Sequence, residues 1–302
     1  MFSLCTSLTM APALPAEIMA NYCYSNMFYG CTSLTTVPSN YLPAETLANY
    51  CYQAMFQNCT SLNAAPSLPA TTLNPGCYYG MFSRCTNLTE APALPATTLM
   101  QSCYSSMFSG CTGLTTVPSN YLPATTLANS CYMNMFNGCT GLTSVPALPA
   151  TTLESQCYSS MFQGCIGLIT VPSNNLPATT LAQNCYSGMF NGCTSLTTAP
   201  TLSATTLANY CYQAMFQNCT SLSAAPALPA ETLANYCYYS MFSGCTNLSS
   251  VTCKATDISA SNCIRNWLDG AGTNATSPTL YVKSTMASAT WNNGSFYVSA
   301  TL

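Results

Sequence analysis

The sequence predicts an α/β repeat solenoid, a stack of short parallel strands with short helices on the opposite side. Three observations carry that expectation. The dipeptide Met-Phe recurs at residues 1, 27, 55, 81, 107, 135, 161, 189, 215 and 241, always 26 or 28 residues apart, and self-similarity at such a period marks stacked coils. The block Thr46–Leu62 returns unchanged as Thr206–Leu222, as expected where equivalent places in a stack need the same side chains for the same contacts. Apolar residues make up 49% of the chain, ample for a continuous interior.

Each unit reads approximately L-P-A-T-T-L-A-N-x-C-Y-x-x-M-F-x-G-C-T-S-L-T-T-A/V-P. Within it, Leu47, Cys51, Met55 and Cys59 stand four apart with Tyr52 and Phe56 beside them, a spacing that predicts the buried face of a short helix. Pro75, Gly76 and Gly80 in the same segment of the next unit keep that helix short. The L-T-T-V/A that follows favours an extended chain, and the proline after it ends the strand. The 28-residue units differ only where VPSNYLPA or VPSNNLPA replaces a form such as APALPA, which places a loop on one side of the stack. The expected organisation is a solenoid over residues 1–252 and a degenerate last coil with a C-terminal cap over 253–302. In that tail Trp267 and Leu268 take the Met-Phe places, and Asp257, Asp269, Arg265, Lys254 and Lys283 concentrate five of the chain's eleven charged residues, as the open end of a solenoid requires.

Only 4% of residues are charged, against about 25% in an average soluble protein, so Ser, Thr, Asn and Tyr must supply the wetted surface. With a net charge of −3 and four scattered cations, the chain offers no basic field for nucleic acid. No apolar run is long enough to insert into a membrane, and Met1-Phe2 already lies within the repeated phrase, so the chain is expected to begin mid-array. There is no histidine, which removes the imidazole of Ser-His and Cys-His catalysis. Glu17, Glu45, Glu90, Glu154 and Glu231 are scattered and form no spaced pair. No phosphate-binding loop, dinucleotide fingerprint or calcium loop occurs, and no enzyme, cofactor or metal is expected.

Twenty of the 21 cysteines fall into two columns, one led by Cys23 and Cys51, the other by Cys5 and Cys31. Two readings are open: small buried hydrophobes with free thiols, or a ladder of disulfides joining one column to the next. Zinc is disfavoured, because C-x-x-C spacing is absent.

The phrase M-F-x-G-C-T-S-L-T resembles the BspA-like leucine-rich repeats of bacterial surface proteins, and the likeness spans residues 1 to about 285. The resemblance implies a non-enzymatic extracellular or cell-surface binding and adhesion module, recognising a protein or glycan on a cell or matrix. Such repeats are also similar to ones in bacteriophage genomes, which implies as the alternative a structural or receptor-binding component of a virion or surface assembly, with self-association.

Two sets of residues are candidates for the contact surface. In the strand, the second position after the leucine is Thr36, Glu90, Thr116, Ser144, Thr170 and Thr198 in six of the units, a polar row on the sheet face. Tyr22, Tyr50, Tyr210 and Tyr236 lie towards the two ends of the array, where Ser102, Ser130, Gln156 and Asn184 stand in the middle. Glycan recognition by stacking motivates the tyrosine set.

Overall fold

A computed structural model describes all 302 residues. The repeats form one stack, and each coil has three sides. The coil around Met135-Phe136 is representative. Its first side, Ala128–Cys139, contains no helix. The N–H groups of Ser130, Tyr132, Asn134, Phe136 and Gly138 donate to the carbonyls of Ser155, Cys157, Ser159, Met161 and Gln163 in the next coil at 2.7–3.0 Å. The residues between them turn the other way. Cys131, Met133, Met135, Asn137 and Cys139 donate to carbonyls three residues back at 3.1–3.3 Å, closing five overlapping turns. Alternate turns carry a positive φ at their third residue, Ser130 (53°), Asn134 (55°) and Gly138 (71°), the signature of type II turns. Every backbone donor from Ser130 to Cys139 is thus paired, half within the coil and half across it, which meets the requirement that buried peptide groups find partners.

This ladder of turns replaces the expected helices. The same three positions carry positive φ in every full coil, for instance Tyr50, Ala54 and Asn58, or Asn184, Gly188 and Gly192. A repeat of two turns advances four residues, so buried pairs recur at intervals of four: Cys131-Tyr132, Met135-Phe136, then Cys139. A left-handed backbone costs a residue with a Cβ about 1–2 kcal/mol relative to glycine. Ala214, with φ of 51°, provides the test. Ala214→Gly is expected to raise stability by about 1 kcal/mol in urea denaturation, whereas the same change inside a helix lowers it by about as much. Destabilisation would contradict the turn ladder.

The second side, Leu142–Val145, and the third, Ala150–Leu153, are extended and meet their neighbours in parallel. The contact is sparse. Regular strands occur only near the C-terminus, where β1 (Ser250–Cys253), β2 (Thr279–Val282) and β3 (Tyr297–Ser299) form a parallel sheet in that order. Elsewhere the expected strands reduce to single parallel bridges such as Thr170↔Thr198 and Thr126↔Thr152. A single-turn 3-10 helix, Ser284–Met286, follows β2, and no helix is long and apolar enough to cross a membrane.

The interior consists of like side chains laid over like. Phe108, Phe136 and Phe162 stack with ring centroids 5.6–5.7 Å apart, and Tyr104, Tyr132 and Tyr158 form a second column at 5.8–5.9 Å. All 21 cysteines are free thiols, and all but Cys5 and Cys23 are buried. The second column has a defined partner. Cys59 Sγ donates to the Phe28 carbonyl at 3.1 Å, Cys139 to Phe108 at 3.1 Å and Cys165 to Phe136 at 3.2 Å, each reaching the preceding coil. A thiol here is small enough to bury and still supplies a weak donor. At the C-terminal end Trp267 and Leu268 enter the core, Trp291 stacks on Trp267 at 5.9 Å, and Phe296 is buried beside them.

Candidate binding surfaces

The two extended sides carry the exposed hydroxyls. On the second side, Thr36, Glu90, Thr116, Ser144, Thr170 and Thr198 are all exposed, one per coil. The residue before each is exposed as well, so the row is double. Both side chains of a Thr-Thr pair face outward because only the flanking Leu and Val of that short stretch turn into the core. Some hydroxyls are held in place: Thr143 Oγ1 donates to the Thr115 carbonyl at 3.2 Å, and Thr197 Oγ1 to that of Ile169 at 3.1 Å.

The third side presents a more uniform array that the sequence reading passed over. From Thr71-Thr72 to Thr205-Thr206, six successive coils each expose two adjacent threonines between a buried Ala and an inward-facing Leu. Bridges hold neighbouring coils in register at Thr46↔Thr72, Thr126↔Thr152 and Thr180↔Thr206. Between Thr98 and Thr126, which stand 28 residues apart, no bridge forms. A depression of about 450 Å³ lies there, lined by Thr97, Thr98, Thr125 and Thr126 with Leu99 and Pro123. The signal for this face was present as the recurring A-T-T-L, which is neither alternating nor helical in period. Within those six coils the array carries no charge. It is bracketed by Glu45 at one end and Glu231 at the other, and Lys283 pairs with Glu231 and lowers its carboxyl's pKa.

The four tyrosines do not form one patch. Tyr22 stacks on Tyr50 at 5.1 Å and Tyr210 on Tyr236 at 4.7 Å, as two pairs at opposite ends of the array. All four occupy the first positive-φ position of their coils, as do Ser102, Ser130, Gln156 and Asn184. The side chains there range from the exposed Tyr22 to the buried Ser130, whose hydroxyl donates to Asn129 Oδ1 at 2.7 Å. Tyr22 is exposed and the other three are half-buried. Gly76 allows the Tyr50 ring to lie flat, since a Cβ there would fall 2.1 Å from it.

No group of three or more Cys, Asp or Glu side chains converges as metal ligands would. Burial pushes the interior thiols up, Cys59 and Cys111 to about 12, so they stay protonated and out of reach as nucleophiles. What the two faces can do is donate and accept hydrogen bonds at a fixed spacing, since each hydroxyl does both.

The sequence profile described as BspA type Leucine rich repeat region matches residues 1–135, 78–189 and 132–266. Among solved structures, the chain is similar to a leucine rich cell surface protein from Faecalibacterium prausnitzii A2-165, at 18% identity over 82% of this chain and 75% of that one, with a TM-score of 0.36. It is similar also to a leucine-rich repeat protein from Bacteroides ovatus ATCC 8483, at 18% identity over 91% and 86% of the two chains, with a TM-score of 0.28. No curated protein matches.

Proposed function

We propose, because this chain belongs to the BspA-type leucine-rich repeat family, that it is a non-enzymatic binding module of the cell surface or extracellular space that grips a protein or glycan through its threonine faces. The observation that carries this reading is the uncharged double row of threonines repeated over six coils on the third side. A soluble surface is ordinarily about a quarter charged or more. One that wets itself with evenly spaced hydroxyls instead suits a partner that is itself polar, neutral and repetitive, as the hydroxyls of a polysaccharide are. Rigid stacking supports the reading further, because a scaffold that holds its donors in place loses little entropy on binding.

The strand row from Thr36 to Thr198, Glu90 included, and the two tyrosine pairs are proposed as secondary contacts, the tyrosines through stacking on sugar rings. The test is binding to arrays of glycans and of immobilised matrix proteins. Replacing Thr97, Thr98, Thr125 and Thr126 together by valine keeps their shape and removes four hydroxyls. At a net hydrogen-bond worth of about 1 kcal/mol each, affinity is expected to fall by about 1,000-fold. Unchanged binding by this variant rules out the third side. Loss of binding on Tyr22→Ser or Tyr236→Ser alone would move the contact to the ends.

A further inference from the structure

The depression on the third side does not end with its threonines. Between Ala91–Leu99 and Val117–Leu127 of the next coil it continues around the corner of the stack into a second hollow of about 350 Å³, and Pro123 lines both. The second hollow has a different character. Leu94 and Tyr121, both buried, lie at its base, while Ala93, Pro95, Pro118 and Asn120, all exposed, stand at its rim. Its longer wall is held in shape. The Tyr121 hydroxyl donates to the Pro92 carbonyl at 2.9 Å and the Tyr121 N–H to that of Pro118 at 3.1 Å, while Ala147 of the following coil donates to the Ser119 carbonyl at 2.8 Å. Each half falls in the size range of small-molecule sites, and no charged side chain lines either. Three junctions of this kind occur in the array, and this one alone joins a tyrosine at the base to four threonines on the walls. At the first, Glu17 and Glu45 take the places of Thr97 and Thr125; at the third, Asn175 takes that of Tyr121.

We infer that this cleft binds a neutral sugar bearing an acyl group, with the sugar hydroxyls on the threonine half and the acyl methyl on the apolar half. The inference rests on the glycan reading of the third side proposed above and narrows it to one class of sugar. A sugar with a hydroxyl at every free carbon would press some of them against Leu94, Pro95 and Pro118, where they lose water and find no partner. An acyl substituent turns a methyl to that surface instead, and the exposed Asn120 side-chain amide supplies a donor for its carbonyl. A sugar carrying a carboxylate is disfavoured, because neither Lys nor Arg lines the cleft to offset the charge.

The probes are two pairs of glycans in which an acetamido group replaces a hydroxyl: chitotetraose against cellotetraose, and N-acetyllactosamine against lactose. In calorimetric titration of the full chain the acylated member of each pair is expected to bind about tenfold or more tightly, the worth of one buried methyl and one hydrogen bond. Saturation-transfer NMR is expected to give its strongest signal at the acetyl methyl protons. Asn120→Ala changes an exposed loop residue, and is expected to weaken the acylated ligands about fivefold while leaving the plain ones unchanged. Ala93→Asp sets a carboxylate at the apolar rim and is expected to abolish the preference. Equal affinity within both pairs, no binding of either acylated ligand, or an equal effect of Asn120→Ala on both members of a pair overturns the acyl assignment. The fourfold valine variant of Thr97, Thr98, Thr125 and Thr126 separates this from the broader reading. Equal binding that the variant loses rejects the acyl group and keeps the third side, whereas an acyl preference that survives in the variant overturns both.

Discussion

On titration with alkali the protein is expected to unfold in one steep step beginning near pH 9. The cause is the thiol-filled core. Burial pushes Cys59, Cys111, Cys157, Cys193, Cys211 and Cys245 up to about 12 from an ordinary value of about 9, and the buried tyrosine column is raised as well. Below pH 9 both states hold these protons and stability does not respond. Above it the unfolded chain ionises while the folded one stays neutral, so each such thiol removes about 1.4 kcal/mol per pH unit until the folded value is reached. These six together remove roughly 8 kcal/mol per pH unit, comparable with the entire net stability of an ordinary domain, about 5–15 kcal/mol. Circular dichroism followed through the titration should collapse in step with the rise of thiolate absorbance. If the fold persists unchanged at pH 11, the core thiols are not free and neutral as described, and oxidation to disulfides becomes the explanation to test.

The same columns show how much of the architecture could be read from the chain. The period, the stacking of Met-Phe on Met-Phe and the place of Trp267-Leu268 in the last coil follow from the repetition itself, because like residues at a fixed interval can be buried together in only one way. The turn ladder was misread as helix for a specific reason. Leu47, Cys51, Met55 and Cys59 are spaced four apart without drift, while an α-helix, at 3.6 residues per turn, would need steps of three and four. A strict period of four, with Gly or Asn recurring at Asn134 and Gly138 or at Gly76 and Gly80, is the signal of alternating type II turns. The threonine face was hidden for a different reason. Thr125 and Thr126 are adjacent, and adjacency in an extended stretch ordinarily sends one side chain inward, but these sides are too short and too sparsely paired to pleat.

Removing one plate from the middle of the core is expected to be the most damaging single substitution. Phe136 is fully buried, lies between Phe108 at 5.7 Å and Phe162 at 5.6 Å, and also meets the Tyr121 ring at 6.3 Å. Phe136→Ala forfeits the burial of a whole ring, leaves a cavity bounded by rigid neighbours, and should cost about 3–5 kcal/mol. In a stack whose stability is a sum over neighbouring coils, that loss falls on the two junctions the ring serves. Urea denaturation is therefore expected to resolve into two transitions, one for each flank of the array, with a smaller dependence on denaturant for each. Phe136→Leu places there the side chain that the last coil already uses at the equivalent position, Leu268, and should cost less than half as much. A cost below about 1 kcal/mol for Phe136→Ala would mean that the column is not close-packed. The substitution also separates scaffold from surface. The threonine pairs of this coil and of the one before it, Thr151-Thr152 and Thr125-Thr126, keep every hydroxyl in this variant, so any loss of binding under conditions where it remains folded must come from their spacing.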